Sequence, residues 1–134
     1  MLKFKVLVVL LISVVQLYSQ NKNEIRLDPA YFDSFIYEIK GADTKAYFVE
    51  NSEEVESLKN FLSENVYLIQ FKSIPSSVTD KLSNYPRLTP SAQNTKFEPT
   101  KFNPLAYGFE KTSSSKRIHI DGTNYVLFIN PIQE

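Results

Sequence analysis

The stretch Met1 to Ser19, MLKFKVLVVLLISVVQLYS, followed by a chain without a single cysteine, sets the narrowest bound on what this polypeptide can fold into. Lys3 and Lys5 precede an apolar run from Val6 to Val15, and polarity returns at Gln16, Ser19 and Gln20. Basic, apolar, then small is the order of a secretory signal. As a helix, a run of about ten residues spans roughly 15 Å at about 1.5 Å per residue, against roughly 30 Å of bilayer hydrocarbon, so no permanent membrane anchor is expected. Cleavage is expected near Ser19, although Leu17 is larger than the small residue usual two places before the cut. With no cysteine after the run, attachment of a lipid through a thiol is excluded.

Removal of 1–19 leaves residues 20–134, enough for one domain with a modest core. Exported domains of this size often rely on disulfides, and here none can form. Side-chain packing must hold the fold, and sixteen Phe and Tyr residues remain after Phe4 and Tyr18 are lost.

Charge is balanced overall but uneven along the chain. Without Lys3 and Lys5 there are 13 basic and 15 acidic residues. Residues 20–66 carry 5 basic and 10 acidic, whereas residues 67–117 carry 8 basic and 3 acidic. The basic half is suited to an anionic polymer or a membrane surface, but the simpler expectation is that the two halves face each other in the fold or are merely solvated. No nucleic-acid partner is expected for an exported chain without a strong basic excess.

The elements are short. Asp28 before Pro29 is a cap followed by a first helical position. FIYEIK and KAYFVE, within residues 35–50, are two β-favouring runs around the polar GADT, and a hairpin is expected there. Phe32, Phe35, Ile36 and Ile39 also satisfy helical spacing, which makes a helix from Pro29 to Ile39 ended by Gly41 the competing reading. From about 52 to 64 an amphipathic helix is expected. Asn51 or Ser52 can cap it, Glu53 and Glu54 suit its positive end, and Val55, Leu58, Phe61 and Leu62 share one face.

VYLIQFK, residues 66–72, is apolar enough for the inside of a sheet, and a weaker helix is expected over Ser76 to Asn84. RIHI and NYVLFI form a second hairpin around Asp121 and Gly122. A two-residue turn would pair Ile120 with Thr123, His119 with Asn124 and Ile118 with Tyr125. It would put Ile118, Ile120, Tyr125 and Leu127 on one face.

Several chemistries are removed by composition. Three glycines, at 41, 108 and 122, cannot build a phosphate loop or a dinucleotide fingerprint. One histidine and no cysteine fall short of the usual zinc sets, and no calcium-loop spacing occurs. GxSxG is missing and a cysteine nucleophile is impossible. No cofactor is expected. His119 is the one weak catalytic candidate, as a general base oriented by Asp121, another carboxylate or a Tyr. The acidic cluster Glu50, Glu53, Glu54 and Glu56 reads as a solvated helix start.

The remaining feature is TKFEPTKFNP, residues 95–104, inside the stretch 85–107. Prolines at 86, 90, 99 and 104 exclude both a long helix and a central strand there. Long irregular connections are functional, disordered or laid over the core. Either Phe97 and Phe102 pin the segment to its own domain, or they join Arg87, Lys96, Lys101 and Tyr107 in an adhesive surface.

The expected fold is a small single α+β domain, an antiparallel or mixed sheet of about five strands with one or two helices on one face. The leading functional expectation is a non-enzymatic binding or accessory protein of the periplasm or cell exterior, partnered by a protein, peptide or glycan of the envelope. The alternatives are a small hydrolase or lyase using His119, or an inhibitor that inserts a loop into an enzyme.

Overall fold

In the computed structural model, residues 24–41, 44–90 and 96–132 are described. The leader lies outside them. The fold is α+β, with a four-stranded antiparallel sheet and three α-helices. In chain order these are β1 (Glu24–Ile25), α1 (Phe32–Lys40), α2 (Thr44–Glu50), α3 (Ser52–Glu64), β2 (Val66–Gln70), β3 (Lys116–His119) and β4 (Tyr125–Ile129). The sheet order is β1-β2-β4-β3. Among the described residues there are thus four strands rather than about five, and three helices rather than one or two.

The surplus helix and the missing strands have one origin, residues 35–50. The expected hairpin is absent, and its two runs are α1 and α2. A strand would turn Phe35 and Ile36 to opposite faces, whereas one helical face buries Phe32, Phe35 and Ile36 together. Burying each side chain contributes about 1.5–3 kcal/mol, which outweighs β preference. Asp33 in the first turn and Lys40 in the last suit the helix dipole, and Gly41 at φ 94° stops the helix. KAYFVE then needs no strand partner, because Tyr47 and Phe48 of α2 pack against the same core.

Elsewhere local pattern and structure agree more closely. Pro29–Tyr31 is a 3-10 turn, with Asp28 accepting from the Ala30 N–H at 3.0 Å. α3 buries Val55, Leu58, Phe61 and Leu62. The helix expected over 76–84 is only a 3-10 turn at Leu82–Asn84, since the rest of that segment crosses from β2 to the free edge of β3. There the His119 N–H donates to the Asp80 carbonyl at 2.9 Å.

The β3–β4 hairpin is displaced by two residues from the expected register. Ile118 opposes Leu127 and His119 opposes Val126, while the Ile120 N–H bonds to the Tyr125 carbonyl at 3.0 Å. The reversal occupies residues 121–124, with Gly122 at φ 74°. Thr123 favours the wider turn: its Oγ1 donates to the Ile120 carbonyl and accepts from the Tyr125 N–H. A two-residue slip preserves side-chain parity, so Ile118, Ile120, Tyr125 and Leu127 still share a face. That face, extended by Val66 and Leu68 of β2 and Ile129 of β4, joins the apolar residues of α1 and α3 in one core.

Candidate functional site

The near repeat TKFEP/TKFNP has a local structural meaning. Pro99 and Pro104 each open a 3-10 turn, preceded by Glu98 and Asn103 at the cap positions. Proline suits a first helical position because its missing donor would have no partner there. The Phe before each cap then turns back toward the turn it introduces, as hydrophobic staples do. Phe102 is buried with Leu105 and Phe109, whereas Phe97 is partly exposed and packs against the core.

These rings form a continuous aromatic path. Phe97 lies 5.4 Å from Tyr125 and 6.1 Å from Phe102 between centroids. Phe102 stacks on Tyr107 at 5.6 Å, Tyr107 on Phe109 at 5.5 Å, and Phe109 meets Tyr85 edge-on at 5.1 Å. Cations cover its outer rings. The Arg87 guanidinium is 5.7 Å from the Tyr107 centroid and the Lys116 ammonium 5.6 Å from that of Tyr85. Lys101 stands 5.1 Å from the Tyr31 ring and pairs with Glu98 at 2.7 Å. Lys96 is exposed. Of the six residues singled out from the sequence, Arg87, Phe97, Phe102 and Tyr107 therefore adjoin one another. Lys101 belongs to a neighbouring pair with Tyr31.

Arg87 is held by a polar hub that no local spacing announces. Glu38 of α1 accepts from Arg87, from the Thr89 hydroxyl at 3.0 Å and from Asn103 Nδ2 at 2.9 Å. Asn103, only 7% exposed, also donates to the Phe35 carbonyl at 3.1 Å and accepts from the Leu105 N–H at 3.1 Å. Burial pushes the Glu38 carboxyl up. The hydrogen bonds from Asn103 and Thr89 and the Arg87 charge outweigh it and hold the group below the usual carboxylate range. A Leu88 N–H bond to the Ala106 carbonyl at 2.7 Å ties the two ends of the segment together. Asn103 could have been suspected from its place before a proline. Glu38 could not, because its partners lie 49 to 65 residues away.

The surroundings of His119 are differently arranged. Its Nε2 is 2.7 Å from the Thr123 carbonyl, a contact that requires this nitrogen to carry the proton and donate. Asp121 faces Ser83, accepting from its N–H at 2.9 Å and its hydroxyl at 2.8 Å. These bonds hold its carboxyl below the usual range. Asp80 accepts from the Tyr85 hydroxyl, Asn84 and the Lys81 N–H. Its hydrogen bond, with burial, pushes the Tyr85 phenol up to about 12. The Asp80 carboxylate thus fixes the shape of residues 80–85, the Asp121 carboxylate ties them to the hairpin, and neither is bonded to the imidazole. Among the described residues, no group of three or more His, Asp or Glu side chains is arranged to hold a metal ion.

A concavity of about 1070 Å³ lies along the polar side of α3. Glu53, Glu56 and Glu64 line one wall, while Ser115, Asn130 and Ile132 line the other. The sequence marks the acidic helix start but not the opposite wall, which comes from the distant ends of β3 and β4. No described helix is long and apolar enough to cross a membrane. Comparison of the chain with protein-family models, curated proteins and solved structures finds no match.

Proposed function

We propose that the chain is a non-enzymatic binding or accessory protein that acts in the periplasm or at the cell exterior after cleavage near Ser19. Its contact surface is the rim of the proline-rich segment, Arg87, Lys96 and Lys101 with the rings of Tyr31 and Tyr107, and its partner a protein, peptide or glycan of the envelope. The observation that carries this reading is the hub beneath the rim. Glu38, itself fixed by the buried Asn103, holds Arg87 over Tyr107, which lowers the entropy lost when a partner is engaged. Arg and Tyr are also the residue types that most often dominate binding energy at interfaces.

Cross-linking of the tagged protein in its native envelope, compared with an Arg87→Glu/Lys101→Glu variant, tests the proposal. A partner retained by the unaltered protein and lost by the variant is the expected result. Equal retention by both refutes the rim as the contact surface. A measurable turnover abolished by His119→Ala would refute the non-enzymatic reading.

A further inference from the structure

A second surface lies on the sheet face turned away from the core. The antiparallel register places Arg117 of β3 opposite Phe128 of β4, and Phe128 opposite Tyr67 of β2. Continuing the β1 register by one residue sets Arg26 beside Tyr67, where its guanidinium lies 5.0 Å from the ring centroid. Arg26, Tyr67, Phe128 and Arg117 therefore form one row across all four strands. None of the four belongs to the core cluster, and both arginines are exposed. Arg26 shares its charge with Glu24 at 3.0 Å through one terminal nitrogen, and the other donates at 3.5 Å to the Glu64 and Val66 carbonyls. Among the described residues no carboxylate pairs with Arg117.

The ring geometry selects the partner. Tyr67 and Phe128 are stacked 4.9 Å apart with only 3° between their planes, and Arg26 covers a face of Tyr67. The faces that a sugar would stack upon are largely used within the row. With those faces engaged along the row, the ring edges are what remain for a ligand, and they carry the positive part of the quadrupole, which attracts carboxylate and carbonyl oxygens. Arginine forks at both ends favour the same groups.

The geometry points to this row as a docking site for an extended acidic peptide lying across the strands. Three strand spacings of about 4.8 Å put roughly 14 Å between the outer strands, which matches two carboxylates about four residues apart in an extended chain. The site is independent of the proline-rich rim.

The test is titration of the purified protein with a labelled peptide bearing two glutamates four residues apart, against the same peptide with glutamines. Binding that weakens with salt is expected for the glutamate peptide alone. Arg117→Glu should weaken it by about tenfold or more, since it removes one ion pair and opposes a like charge. Glu24→Gln should tighten it by freeing Arg26. Lys101→Glu, at the other surface, should leave it unchanged, so failure here and failure of the rim are distinguishable. Arg117→Glu and Glu24→Gln both alter exposed groups, and unchanged thermal midpoints would verify that they fold. Equal binding of the glutamine peptide, or no effect of Arg117→Glu, overturns the proposal. So does displacement of the peptide by a polyuronate at equal charge concentration, or a dimer that Arg117→Glu dissociates while peptide binding is absent.

Discussion

Replacing Glu38 by Ala should loosen the proline-rich segment, and the structure sets the size of the effect. Glu38 and Arg87 are each close to one-third exposed at the side chain, 31% and 30%, so solvent reduces their ion pair to roughly 1 kcal/mol. Thr89 can turn its hydroxyl to water, and losing its bond costs about 0.5 kcal/mol. Asn103 keeps the Phe35 carbonyl but loses an acceptor in a site only 7% exposed, for about 1 kcal/mol more. The total, about 2.5 kcal/mol, is a large share of the roughly 5–15 kcal/mol that holds a domain together, and lowers the melting midpoint by about 10 °C for a domain of this size.

Urea unfolding measures the loss, and limited proteolysis between Arg87 and Lys101 locates it. Glu38→Gln keeps the shape but not the charge and should cost about half as much. The pH dependence has a definite sign. Because the folded carboxyl is held below its usual range, its stabilisation is complete above the unfolded value near 4.5 and is lost as pH falls through the folded one. The Gln variant should therefore lose less stability on acidification than the unaltered protein. A Glu38→Ala protein that unfolds within about 0.5 kcal/mol of the original, with the same proteolysis rate, would refute this account of the hub.

Phe102→Ala should cost about 3–4 kcal/mol by emptying a buried site, and Phe97→Ala about 1 kcal/mol because that ring is partly exposed; equal urea midpoints for the two variants would contradict their different burial. In an alkaline titration followed by tyrosinate absorbance, a late phase near pH 12 should disappear in Tyr85→Phe. A phenol raised in the folded state contributes its stability in full below the unfolded value near 10 and loses it as pH climbs toward 12, so the original should weaken across that window more than the variant. Gly108→Ala should destabilise by about 1–2 kcal/mol, since Gly108 sits at φ 72° and its added Cβ would meet Leu88 Cδ1 at 3.3 Å; unchanged thermal unfolding would remove the need for glycine there.

Legibility in the sequence followed range of interaction. The helix Ser52–Glu64 was readable because its acidic first turn and apolar face lie within thirteen residues, although the expected side-chain cap is not made and Asn51 instead donates back to the Tyr47 carbonyl. The faces of β3 and β4 were readable although their register was not, since alternation along a strand survives a two-residue slip while the turn width depended on the Thr123 hydroxyl. Residues 35–50 were ambiguous because two periodicities fit the same apolar positions. Of the site residues, Arg87, Phe97 and Tyr107 could be singled out by type. Their assembly into one ringed path with Glu38 beneath it could not.

From composition alone came the bounds: a thiol-free chain dense in aromatic rings, with no parts for phosphate loops or thiol chemistry, and a cap-proline unit written twice. Tertiary structure decided that Phe35 and Ile36 share a helical face, that Phe102 goes inward, and that one carboxylate on α1 gathers Arg87, Thr89 and Asn103. The division has a physical cause. Periodicity and capping are set by neighbours within a turn or a strand, whereas burial and ion pairing depend on which distant segments the whole chain brings together.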